Sequence, residues 1–266
     1  MSKRVIITGA AGGLGKQATD ELRRQGATVV GLDLKGNGDD ILECDVRDQA
    51  SVDSAVAAAI EKLGGGVDVV INNAGVGDPA SAGAAPDEAA LALIDINLMG
   101  AWRVTSAALD ALLASHGRVV NIASGLAHVT SPFGTAYTMS KRGLVGYSDS
   151  LRLEYAGRLT VSTVYPGYIR TPIHDASKEK GMGLEGAVPA EDIADAGRAF
   201  ARAALSEKPI RDLATTRSGT VNYAVVRHLP RRLLDKVTLL RMRQLARKGH
   251  FDGGEMSRDF GAALKG

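Results

Sequence analysis

The chain is short of the raw material that several functions need. Cysteine occurs once in 266 residues, at Cys44, so no disulfide closes within the chain and no thiolate zinc site assembles from it. No metal is expected, and a reducing, cytoplasmic setting fits this economy. Aromatic residues make up 4%, too few for a platform that stacks nucleic-acid bases. No window approaches the roughly 20 apolar residues of a membrane span. The opening MSKRVIITGA resembles a signal peptide only superficially. Its apolar run breaks at Thr8 and Gly9 and reads as a first strand. Internal repeats and low-complexity tracts are also missing.

What is present is ordinary globular composition, 45% apolar and 23% charged, in a length that suits one large domain. Compact apolar runs recur: RVIITG, ATVVGLD, VDVVINNAG, GRVVNIAS and LTVSTVYPG. Helical stretches separate them, at 14–25, 51–63, 87–113, 137–155 and 190–205. Strands apolar on both faces, with helices between, predict an α/β fold: a doubly wound parallel sheet covered on both sides. The connection 33–45 holds only a dozen residues, too few for a crossover helix. An extended loop or a single helical turn is expected there.

TGAAGGLG, residues 8–15, follows the first strand and opens the first helix. Such a turn presents backbone N–H groups and the positive end of a helix to a pyrophosphate. Gly9 permits the tight turn, and Gly13 and Gly15 permit close approach of phosphate and of helix to sheet. Glycine turns without a ligand also exist, so the surroundings decide. Asp33 ends the second strand, 18 residues after Gly15. A carboxylate there accepts from both adenosine ribose hydroxyls and repels a 2′-phosphate. No Arg or Lys sits inside the turn, and Lys16 and Lys35 only flank it, which favours NAD over NADP.

Tyr137 stands four residues before Lys141 on a predicted helix, so both side chains share a face. An ammonium beside a phenol favours the phenolate and lowers the pKa from about 10. The tyrosine then exchanges a proton with an alcohol or carbonyl near neutral pH. Ser124 closes GRVVNIAS, at the strand end where open α/β sheets bind ligands. Its hydroxyl is placed to bond the reacting oxygen.

In order and spacing these motifs resemble the short-chain dehydrogenase/reductase family, from Arg4 to about Leu205. The resemblance implies a single Rossmann-like domain that binds a nicotinamide cofactor and interconverts a secondary alcohol and a ketone. It implies that Gly9, Gly13, Leu14 and Gly15 hold the pyrophosphate and that Asp45 and Val46 of CDVRD flank the adenine. NNAG, with Asn73, Ala74 and Gly75, would border the cofactor. Gly167, Ile169 and Thr171 of PGYIRT would meet the nicotinamide end. Asn97 in DINLMG matches the family's catalytic asparagine, whose backbone holds a water in a proton relay. Lys141 would bind the nicotinamide ribose as well as tune Tyr137. Resemblance also implies a homodimer or homotetramer, through the helices carrying Asn97 and Tyr137.

Residues 1–205 then form the catalytic core, and 206–266 an extension of the same domain that completes the substrate site. The chain lacks the family's frequent G-x-x-x-x-V-D-G-G ending. Its substitute is loosely similar to members acting on steroids, retinoids and other lipophilic alcohols. Alternatives are a 3-oxoacyl-thioester reductase, or a nicotinamide-binding sensor or scaffold without turnover. Sugar-nucleotide epimerisation on the same fold is disfavoured by length and glycine spacing.

Four other features need a place. His128 reads as an ordinary loop histidine, and Met99 and Trp102 as core or subunit-contact residues. Segment 172–188, rich in glycine and charge, is where a substrate lid is expected. Formal net charge is +2, yet 227–248 carries eight Lys/Arg and one acid, +7, leaving −5 elsewhere. This tail is helical by composition after Pro230. Its Leu233, Val237 and Leu240 stripe is expected to pack on the lid or a partner subunit and to wall an apolar pocket. A membrane-surface role is the weaker reading, because the apolar face is narrow. Nucleic-acid binding needs more than a basic run.

Overall fold

The computed structural model describes residues 2–183 and 188–265. Seven strands form one parallel sheet in the order β3-β2-β1-β4-β5-β6-β9. They are β1 (Arg4–Thr8), β2 (Thr28–Asp33), β3 (Ile41–Glu43), β4 (Val69–Asn72), β5 (Arg118–Ile122), β6 (Thr160–Tyr165) and β9 (Asp212–Ala214). β7 (Tyr168–Ile169) and β8 (Ala190–Glu191) make a separate short parallel pair. The last strand of the main sheet thus comes from beyond residue 205, and the extension is built into the same sheet.

Alternate residues of each strand feed opposite layers. Val5, Ile7, Val29 and Ile71 pack under helices α1 (Gly13–Arg24) and α8 (Ile193–Leu205). Ile6, Val30, Leu32 and Val70 pack under α2 (Gln49–Lys62), α4 (Gly100–Ala107) and α6 (Thr135–Glu154). Period-2 burial on both faces is why the strands read as unbroken apolar runs. α8 supplies Ala196, Ala199, Ala203 and the fully buried Phe200. Its small residues let α1 approach closely: a Cβ on Gly197 would lie 2.9 Å from Gln17.

Caps set several helix starts. Asp48 accepts from the N–H groups of Ala50 and Ser51, so α2 begins at Gln49. Asp192 accepts from Ala194 N–H, so α8 begins at Ile193 and the expected start at 190 is spent on β8 instead. The connection from Asp33 to β3 holds no helix, as its length requires.

The stretch 87–113 is not one helix. It divides into α3 (Glu88–Ile94), a π-helical turn (Asp95–Met99), α4 and α5 (Leu109–Ala114). The Asn97 side chain bonds both the N–H and the C=O of Val76, and the widened turn lies where that side chain is held.

After β6 the chain runs through β7, a 3-10 turn (Pro172–His174) and α7 (Asp175–Glu179). α9 (Arg217–His228), α10 (Arg231–Arg247) and α11 (Glu255–Lys265) close the chain. Among the described residues no helix is long and apolar enough to cross a membrane.

The α10 stripe corrects one expectation. Within the chain Leu233, Val237 and Leu240 are exposed. The helix is buried at its C-terminal end instead: Leu245 and Ala246 join Phe251, with Met182, Met242, Phe260 and Leu264 around them.

Candidate active site

The strand order reverses between β1 and β4, and the crevice beyond their C-terminal ends gathers most of the marked residues. Gly9 takes φ +66°, a region that favours glycine, and a Cβ there would lie 2.9 Å from Ala74 Cα. A Cβ on Gly15 would lie 1.9 Å from the Gly9 carbonyl oxygen. Thr8 Oγ1 accepts from the N–H groups of Asn73 (3.0 Å) and Ala74 (2.9 Å), and Asn73 Nδ2 donates to Thr8 O (2.9 Å). This stitching fixes NNAG beside the glycine-rich turn.

Gly12 precedes α1 at the N-cap position with no side-chain cap, and the first turn holds no acid, so the leading N–H groups are left for an anion. Asp33 braces the turn: Oδ2 accepts from Ala11 N–H at 2.9 Å and Oδ1 from Leu34 N–H at 2.8 Å. A Cβ on Gly13 would lie 3.3 Å from the Thr171 methyl, which places PGYIRT against the turn. Gly167 N–H donates to Glu191 Oε2 at 3.0 Å, and Glu191 also accepts from Thr215 and Thr216. Ile169 is buried in the core under α1 and α8. An uncapped helix start, a turn so tight that Gly9 and Gly15 leave no room for a Cβ, and a strand-end carboxylate fit a dinucleotide.

Asp45 and Val46 are less available. Arg47 sits on the Asp45 carboxylate at 2.6 Å and holds its pKa below the ordinary value. Val46 is buried against α4, where a Cβ on Gly100 would lie 2.8 Å from it.

Ser124 lies two residues past β5 and caps a short 3-10 turn, its Oγ accepting from Leu126 N–H. Tyr137 and Lys141 follow on α6, with the Tyr137 phenol beside the Ser124 hydroxyl. Lys141 is buried and donates to Ile122 O at 2.9 Å, with Nζ 5.7 Å from the Tyr137 ring centre. Asn97 accepts from Val76 N–H at 2.8 Å, donates to Val76 O at 2.9 Å and reaches Ser140 Oγ at 3.3 Å. Gly75 separates these groups: its Cβ would lie 3.1 Å from Asn97 Oδ1 and 3.5 Å from Lys141 Nζ.

The electrostatics differ from the expectation drawn from spacing. Burial pushes the Tyr137 phenol up, and the neighbouring Ser124 hydroxyl offsets only part of this. Burial also brings the Lys141 ammonium down to about 8. Lys141 is close to the tyrosine, but burial sets the direction of both shifts.

Beside Tyr137 a cleft of about 80 Å³ opens, lined by Leu126, Phe133, Ile173, His174 and Met182 among others. Lys180 pairs with Asp78 at 2.5 Å and ties the segment after α7 to the opposite wall. Of the expected lid, residues 184–187 lie outside the described residues. Phe133 adopts φ +61°, and its ring meets Phe260 of α11 edge-on at 5.4 Å. Phe260 meets Phe251 at the same distance. The segment after α7 and the residue preceding α11 touch closely, since a Cβ on Gly181 would lie 2.5 Å from Gly254 Cα.

Sequence reasoning missed Phe133, His174, Met182 and Phe260. Phe133 carried one signal, four residues before Tyr137, and His174 another, three residues after Thr171. His128 packs against Tyr165 and Tyr223, at 4.9 and 4.8 Å, and does not line the cleft. Met99 and Trp102 are exposed, and Trp102 stacks on Tyr147 at 5.5 Å.

Comparison with known proteins gives this arrangement a family. Residues 3–181 match the family model of short chain dehydrogenase. Oxidoreductase UcpA of Escherichia coli K12 is 36% identical over 190 residues, which is 65% of this chain and 72% of that protein. The 3-oxoacyl-[acyl-carrier-protein] reductase FabG of Thermotoga maritima is 32% identical over 194 residues, 67% of this chain and 78% of that protein. The fold is shared with a short chain dehydrogenase from Burkholderia cenocepacia solved with NADP, with TM-score 0.75 and 24% identity, covering 90% of this chain and 98% of that one. The chain therefore belongs to the short-chain dehydrogenase/reductase family and is an NAD(P)-dependent oxidoreductase.

Proposed function

We propose that the protein interconverts a lipophilic secondary alcohol and its ketone, using NAD in preference to NADP. The observation that carries this reading is the group of buried Ser124 and Lys141 with half-buried Tyr137, opening on a cleft lined by Leu126, Phe133, Ile173 and Met182. The nicotinamide supplies or accepts the hydride. Tyr137 gives or takes the hydroxyl proton, and Ser124 donates to the reacting oxygen and favours its developing charge. Lys141 holds the nicotinamide ribose and, with Asn97, feeds the proton path behind Tyr137.

The cofactor reading assigns the pyrophosphate to the turn of Gly9, Gly13, Leu14 and Gly15. Asp33 takes the adenosine ribose and disfavours a 2′-phosphate. Asp45 and Val46 would border the adenine from behind their present contacts with Arg47 and α4, and Asn73, Ala74 and Gly75 would border the cofactor beside the turn. Thr171 would meet the carboxamide, while Gly167, tied to Glu191, and Ile169, its side chain buried in the core, would do so through the backbone of the segment. Residues 206–266 complete the substrate site in this reading, since Phe260 buttresses Phe133. A homodimer or homotetramer forms through the surface carrying Leu91, Met99, Trp102, Met139 and Leu153, all of them exposed in the single chain.

A second reading, reduction of a 3-oxoacyl thioester, is favoured by the similarity to FabG. A panel of steroid, terpenoid and short secondary alcohols, run beside a 3-oxoacyl thioester with both cofactors, separates the two. Turnover of the thioester alone would replace the first reading by the second.

A further inference from the structure

α10 packs inward only at its C-terminal end; residues 231–241 are exposed on most sides, and Leu239, 45% exposed, lies off the line of Leu233, Val237 and Leu240. Leu245 and Ala246 face Phe251 and are buried, with Met242 half-buried beside them. Leu233, Val237 and Leu240 are 45%, 53% and 57% exposed. Spacings of four and three align them along one side of the helix. At about 100° per residue, Lys236, Arg243 and Arg247 fall along one edge of this line and Lys248 along the other. Among the described residues no ion pair engages Arg232, Lys236, Arg243 or Arg247. The preceding helix α9 adds Val221 and Val225, one turn apart and exposed.

The charge selects the occupant of this face. Residues 227–248 carry +7, and the rest of the chain carries −5. A second copy seated here by the same face would bring +7 against +7, and a copy presenting its acidic remainder is the outcome that the oligomeric-mass arm of the test detects. A nucleic acid would match the charge but leave the leucines facing phosphates, and 227–248 holds no aromatic residue for stacking. A lipid surface with acidic headgroups matches both features: acyl chains take the apolar line, and headgroups take the cations on either side. The line is narrow for anchoring by burial alone, and the flanking charge supplies the remainder.

We propose that α10 lies along an anionic membrane surface, with Leu233, Val237 and Leu240 at the headgroup–acyl boundary and the flanking Lys and Arg over acidic headgroups. The inward end of the helix packs on Met182, which lines the cleft, so the docked protein holds its substrate entrance near the lipid.

The test is co-sedimentation of the full chain with phosphatidylcholine vesicles, with and without phosphatidylglycerol. At low salt, binding to the anionic vesicles should exceed binding to the neutral ones at least tenfold and weaken as salt rises. Leu233→Asp with Leu240→Asp should lower it tenfold or more, while the circular-dichroism spectrum and NAD affinity hold. Arg243→Glu with Lys236→Glu, a surface exchange that leaves the apolar line intact, should lower it comparably. No binding to anionic vesicles, equal binding to neutral ones, or unchanged binding by both variants overturns the proposal. A fall in oligomeric mass on Leu240→Asp also overturns it, by assigning the stripe to contacts between copies.

Discussion

Two glycines three residues apart in the same turn should respond oppositely to alanine. At Gly15 a Cβ would stand 1.9 Å from the Gly9 carbonyl oxygen, 2.7 Å from Gly9 C and 2.9 Å from Ala10 Cα. Contacts of carbon with backbone oxygen settle near 3.3 Å or more, so the turn must open by over an ångström. All three atoms are backbone, and no side chain can swing aside. At Gly12 the nearest atom is the Gly9 oxygen, at 3.4 Å, an ordinary contact, and φ is −75°. Gly15→Ala should cost about 1–3 kcal/mol of stability from overpacking. It should weaken NAD binding by about a hundredfold, near 2.7 kcal/mol, because the N–H groups that meet the pyrophosphate move with the turn. Gly12→Ala should bind NAD within about threefold of the parent, under 1 kcal/mol. Titration calorimetry of both variants, with thermal melts to check folding, decides the matter. If the two variants lose affinity equally, or Gly15→Ala retains it, the turn does not hold the cofactor as described.

Further expectations concern the cofactor, pH and the C-terminal wall. Asp33→Ala should narrow the NAD preference in kcat/KM, because it removes a ribose partner and a repulsive charge together; a parent enzyme that prefers NADP would contradict the assignment. Burial brings the Lys141 ammonium down to about 8, so ketone reduction is expected to fall as pH rises through that region, as read from a kcat/KM profile. The sign for stability is the reverse. The unfolded lysine, near 10.4, holds more protons than the folded one between the two values, so the penalty of burying this charge is full below about 8 and fades toward 10.4. Denaturant melts of Lys141→Met should lack that rise. Phe260→Ala removes two edge-on ring contacts, each worth about 0.5–1.5 kcal/mol, and should raise KM for lipophilic alcohols while NAD affinity holds. An unchanged substrate profile would detach the tail from the substrate site.

The sheet was legible because its physics is local. Runs such as VDVVINNAG need burial on both faces, and only a sheet between helix layers provides it. The bare connection after Asp33 followed from its length alone. The π-helical turn at Asn97 was not legible, because the apolar period of 87–113 continues through a single widened turn. What locates that turn is a pair of bonds to Val76, 21 residues away. The wall of the cleft was hidden for a similar reason: Phe133, Met182 and Phe260 meet only through the folded chain. In α10 the spacing of Leu233, Val237 and Leu240 identified an apolar line but not which face of the helix is buried. The inward face is set at the far end, by Leu245 and Ala246. Spacing put Lys141 beside Tyr137 correctly, yet the sign of the tyrosine shift depends on burial, which no spacing reports.

The most direct test of the central claim is the reduced-nicotinamide absorbance produced by the parent enzyme and by Tyr137→Phe with the best alcohol of the panel. The expected result is a signal from the parent that Tyr137→Phe abolishes, while calorimetry finds NAD affinity within about threefold, under 1 kcal/mol. Substantial residual turnover in Tyr137→Phe would contradict it, because the proton would then travel by a group other than the tyrosine held between Ser124 and Lys141.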